Sequence, residues 1–160
     1  MGYEVEAWTD FFVATAGATA ALAGLLFVAV SINIERILAL AGVADRALGT
    51  LVLLLGALLV AIFGLAPGQS DLAVGLEIAA TGGLAVAVAG RLAMRIQTDQ
   101  RSHMISVAVI SLWGTLPFLV GGLSLAEGSG GGLYWVLIGT VGAIAGAVSN
   151  AWVVLVEILR

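Results

Sequence analysis

The chain has no cysteine and no lysine, one histidine and two prolines among its 160 residues. The absence of cysteine excludes disulfides, thiolate nucleophiles, iron–sulfur ligation and Cys-based zinc sites. A single histidine, His103, excludes a His-rich metal centre. Without lysine, every fixed positive side chain is one of six arginines, set against ten carboxylates, and the formal net charge is −4. No basic surface for nucleic acid can be built from so few cations. Charged residues make up 10% of the chain and hydrophobic ones 61%, against about 25% and about 45–50% in soluble domains. A mean hydropathy of +1.16 completes the exclusion of a soluble or disordered chain and leaves a membrane protein. The opening MGYEVEAWTD is acidic, unlike the basic start of a cleavable signal. The first apolar stretch is therefore expected to remain as an anchor. Glu6 stands where a myristoylation motif needs Ser or Thr.

What is present is a set of long apolar runs. A spanning helix needs about 20 mostly apolar residues, and the sequence predicts five, over about 10–34, 47–66, 72–94, 104–126 and 133–156. Pro67-Gly68-Gln69-Ser70 ends the second span, and Gly128-Ser129-Gly130-Gly131-Gly132 precedes the fifth. The third is interrupted by Glu77, but arginine placement requires it. With five spans Arg36, Arg46, Arg91, Arg95, Arg101 and Arg160 all fall on one side, the bias that sets orientation. The expected fold is an all-α integral membrane bundle in one domain, 1–160, with its N-terminus outside and its C-terminus cytoplasmic. Tyr3, Trp8, Tyr134, Trp135 and Trp152 fall at span ends, where amphipathic rings form interfacial belts. The loop 37–44 is apolar and is expected at the inner interface as one or two helical turns.

Small residues let helices approach in lipid, where apolar burial between helices provides little drive. The first span carries Ala14, Gly17, Ala18, Ala21 and Gly24, the fifth Gly139, Gly142 and Gly146, and the third Gly82, Gly83, Ala87 and Gly90. These stripes predict tight packing within the chain, a homo-oligomer interface, or both.

Few residues suit chemistry. Glu77 is the lone carboxylate inside a predicted span and not at its end, about 7–8 Å from the start. It reads as a proton- or cation-handling group or as a structural carboxylate near the headgroups, with Thr81 one turn deeper as a partner. Pro117 removes the N–H that would serve the Trp113 carbonyl. With Ser111, Gly114 and Thr115 it predicts a kink with exposed backbone polarity, as in some carriers and in many ordinary spans. Ser31 and Asn33 in the first span, and Ser149 and Asn150 in the fifth, predict interhelical hydrogen bonds or a small polar vestibule. Arg91 and Arg95, four apart, suit anionic headgroups, and His103 is a candidate pH sensor. No GxSxG, HExxH, phosphate loop or paired intramembrane carboxylates occur. A non-enzyme without cofactors is expected.

Trp8-Thr9-Asp10-Phe11-Phe12, the run AALAGLLFVAVSINIERI over 20–37, and the APGQ and GLE segments at 66–69 and 75–77 resemble a group of small polytopic proteins of bacterial inner membranes. Some of that group carry the label of modulators of a membrane-bound AAA protease. The resemblance covers the first half of the chain and implies a bacterial inner membrane. Two functions are expected from the residues. One is an accessory, scaffold or regulatory subunit that works by helix–helix assembly, as a homo-oligomer or within a larger membrane complex. The other is an oligomeric channel or small-solute or proton-coupled transporter using Glu77 and the Pro117 kink.

Overall fold

A computed structural model describes residues 2–40, 42–95 and 101–159, apart from the side chains of 93, 95, 101–110 and 158–159. Every regular element among them is helical. A single 3-10 turn, Val5–Trp8, leads into α1 (Thr9–Ile32), and α2 (Ile34–Ala39) follows at once. Then come α3 (Val43–Leu65), α4 (Asp71–Arg95), α5 (Arg101–Glu127) and α6 (Leu133–Leu159). The stretch from the 3-10 turn through α1, together with α3, α4 and α6, gives four segments long and apolar enough to cross a membrane. The short helix expected in the first inner loop is α2, and it starts before that loop, at Ile34.

Local sequence explains the boundaries. Pro67 cannot continue α3, Gly68 turns the chain at φ +75°, and the Ser70 hydroxyl accepts a bond from Ala73 N–H at 3.3 Å to cap α4. Short turns then force neighbours antiparallel. Arg36, Arg46 and Arg91 lie at one end of the bundle, and the turns 66–70 and 128–132 lie at the other. The centre is α3, which packs on α1, α4 and α6 and touches α5. Its Leu53, Leu54, Ala57, Val60 and Ala61 are almost fully buried.

Backbone proximity sets the packing. Between α4 and α5 a Cβ built on Gly75 would lie 2.7 Å from both Ala126 N and Gly122 O. One on Gly82 would collide with the Leu119 backbone, and one on Gly122 with the Ala79 backbone. The two helices therefore meet main chain to main chain along Gly75, Ala79 and Gly82. Elsewhere aromatic rings occupy the space that glycine leaves. Phe12 sits on Gly64, within 2.5 Å of a built Cβ, and Phe118 on Gly139, within 2.9 Å. Both rings are essentially unexposed.

Gly82→Leu and Gly122→Val should each destabilise the fold by about 1–3 kcal/mol, the usual cost of overpacking, in thermal unfolding followed by circular dichroism in detergent. Gly90, with nothing within 4 Å of a built Cβ, is the control. Gly90→Ala should be neutral or stabilising by up to about 1 kcal/mol through helix propensity.

Candidate functional site

Glu77 lies on α4, six residues after Asp71, half-buried between the covered Val74 and Ile78. Its Oε2 is buried and has no hydrogen-bond partner among the described residues. Thr81 does not supply one, because its hydroxyl donates to the Glu77 backbone carbonyl at 2.8 Å. That is the habit of most hydroxyls described in this bundle, with buried Thr140 on α6 an exception. Thr19 donates to Thr15 O, Thr50 to Arg46 O, Thr115 to Ser111 O and Ser149 to Ala145 O, all at 2.7–2.9 Å. A hydroxyl in an apolar helix meets its need on the preceding turn. These residues consequently close on their own helices and do not line a polar path.

Pro117 is buried within an α5 that continues unbroken to Glu127. The Trp113 carbonyl it frees is covered by the neighbouring helix, not by a hydrated cavity. A Cβ built on Gly142 of α6 would stand 3.0 Å from that oxygen and 2.7 Å from Trp113 Cδ1. Only a glycine lets the α6 backbone come so close. Gly114 has a similar packing role, since a Cβ there would meet Leu53 at 2.8 Å and Ala143 Cα at 3.0 Å. The Trp113 ring itself is 66% exposed.

The expected bonds between the first and fifth spans do not form among the described residues. Asn33 donates to Ala29 O at 2.9 Å, Ser31 is exposed, and buried Asn150 on α6 has an unpartnered Nδ2. Both helices lean on α3 and scarcely touch each other. Between them runs an apolar slot of about 460 Å³, lined among others by Leu25, Ala29, Leu54, Ala147 and Ala151. Sequence patterning had no signal for it beyond ordinary leucine and alanine spacing. Arg91 is exposed at the last turn of α4. The side chains of Arg95 and His103 lie outside the described residues.

The three small-residue stripes have different fates. Gly139, Gly142 and Gly146 are buried on α6, and Gly82 is spent on α5. On α1, Ala14, Gly17, Ala18, Ala21 and Gly24 all face outward, and nothing lies within 4 Å of a Cβ built on Gly17 or Gly24. Over its most apolar stretch the α1 segment is 22% buried, half the 44% of α3 and α6.

At the turn end of the bundle the N-terminus is tied to the glycine loop, an arrangement the belt reading of its aromatics missed. Leu133 N–H donates to Gly2 O at 2.8 Å, and Gly131 N–H to the Tyr3 hydroxyl at 2.7 Å. Ser124 Oγ donates to Ser129 O and accepts from Gly132 N–H at 2.8 Å. Trp8 meets Tyr134 edge-to-face with centroids 5.2 Å apart. Gly132 has φ +53°, and a Cβ there would strike Gly2 O and the Tyr3 ring, so only glycine serves. No family model, curated protein or solved structure matches the chain.

Tyr3→Phe and Ser124→Ala should each lower stability by about 1 kcal/mol, the net worth of a hydrogen bond. Gly132→Ala should cost more than either. The same unfolding assay reads all three.

Proposed function

We propose that this chain is a five-span protein of a bacterial inner membrane, with all its arginines on the cytoplasmic side. It acts without catalysis or cofactor, by helix–helix assembly, as an accessory, scaffold or regulatory subunit. The fifth span in this reading is α5, and its apolar run of about 23 residues from 104 to 126 is long enough. One observation carries the assembly reading: the open small-residue face of α1. The α6 stripe and Gly82 of α4 are spent inside the fold, whereas Gly17, Ala21 and Gly24 remain unfilled at spacings of four and three. That spacing suits a second helix at close range. The occupant in this reading is the α1 of a second copy, related by a two-fold axis along the membrane normal.

The absence of cysteine makes the test clean. Ala21→Cys in the full chain should form a disulfide-linked dimer on mild oxidation in nanodiscs. Gly17→Leu and Gly24→Leu should weaken dimerisation about tenfold or more, about 1.4 kcal/mol, with helix content unchanged. A chain that stays monomeric in lipid and gives no cross-link would remove the self-assembly reading.

Glu77 favours a second reading, an oligomeric channel or proton-coupled carrier. A carboxylate oxygen without a partner inside a span is a functional candidate on physical grounds. Proteoliposomes should then pass protons or small cations, and Glu77→Gln should bring the flux to the empty-vesicle level. Flux unchanged in that variant, or none from the unaltered chain, rules this reading out.

A further inference from the structure

The slot between α1 and α6 has α3 as its floor and α2 across one end. Its lining on the first helix runs from Leu22 to Asn33, about 16 Å along the axis. Nearly all the lining is apolar, with Asn33 and Thr50 the exceptions. Leu25, 69% exposed, and Leu155, 52% exposed, form its lips, so it opens sideways into whatever surrounds the bundle. In a membrane the surroundings at this depth are hydrocarbon, and an apolar cavity of this kind does not hold water. A single alkyl chain has the right girth and can bend to the walls.

The charges at the α2 end favour one kind of alkyl chain. Arg46 on α3 is engaged, 3.9 Å from Glu157 on α6, with its side chain only 15% exposed. Arg36 is different. It neighbours Ile37, which lines the slot, stands exposed, and has no ion pair among the described residues. An exposed guanidinium on α2, the helix that closes one end of the slot, complements a phosphate joined to an acyl chain lying in it. We propose that the slot holds one acyl chain of a membrane glycerophospholipid whose phosphate is bound by Arg36. Bound there, the chain fills the gap between α1 and α6 and couples the position of α1 to the lipid of that leaflet.

The test uses the full chain in phosphatidylcholine nanodiscs doped with phosphatidylglycerol bearing a diazirine midway along one acyl chain. After photolysis, adducts mapped by peptide mass spectrometry should favour segments 25–29 and 147–155 over the exposed residues Leu84 and Val141 by about tenfold. Ala29→Phe and Ala151→Phe, which fill the slot, should abolish that preference, and Val141→Phe on the outer surface of α6 should leave it intact. Arg36→Gln should reduce it about fivefold, as expected for one headgroup contact of about 1 kcal/mol. Labelling by a headgroup-free hydrocarbon diazirine should not change in that variant. Equal labelling of slot and outer surface in the unaltered protein would overturn the proposal, and so would loss of Arg36 without effect on the phospholipid probe. A Leu155→Cys chain that forms disulfide dimers on oxidation would place a second copy at the slot and overturn it as well. The labelling ratio in the unaltered protein decides the matter even where a phenylalanine variant misfolds.

Discussion

The bundle depends on helix backbones coming together where one partner has no side chain. Transfer of an apolar side chain from lipid to a helix interface gains little, so contact area and closeness must supply the cohesion. The α4–α5 seam illustrates this, with Gly75, Ala79 and Gly82 set against Leu119, Gly122 and Ala126. The same rule seats Phe12 on Gly64 and Phe118 on Gly139. In both cases an aromatic ring gains dispersion contacts across its face because the opposing residue leaves room. Replacing these glycines with larger residues would push helices apart and remove those contacts.

Polarity in such a bundle has to be resolved close to where it arises. Thr19, Thr50, Thr81 and Thr115 return their hydroxyls to the turn before them, so none contributes to a hydrophilic path. The carbonyl freed by Pro117 is covered by α6 at Gly142. Glu77 is the exception on α4, and its unpartnered oxygen is what sustains a transport reading beside the assembly reading. The loop at 128–132 is resolved in the opposite manner, by a long-range contact. Gly2 and Tyr3 supply acceptors that the loop cannot find in its own sequence.

The arrangement is lopsided. With α3 at the centre and α4, α5 and α6 gathered round it, α1 is left on the edge with one side against α3. Two consequences follow from that position. Its small-residue face has no partner within the chain, and its other flank stops short of α6, leaving the slot. The proposed dimer and the proposed lipid use these two different flanks of one helix. Both therefore bear on α1 and leave the rest of the bundle undisturbed.

Hydropathy and turn chemistry alone determined the all-helical class, the apolar runs and the turns at Pro67-Gly68 and Gly128–132, because each is a property of neighbours along the chain. The short helix Ile34–Ala39 was legible only in part, since the expected turns lay at 37–44 and the two overlap at 37–39. Charge position supplied the expected orientation, again from linear order. Which stripe packs inward was not legible, since Gly17 and Gly142 sit in equally apolar helices and differ only in what faces them. Nor was the direction of the Thr81 hydroxyl, the cover over the Trp113 carbonyl, or the link from Tyr3 to Gly131 across 128 positions. Those depend on how each helix is rotated and which neighbour it meets. Rotation and neighbour choice are set by shape complementarity among all the helices together, and that is decided only when the chain is folded.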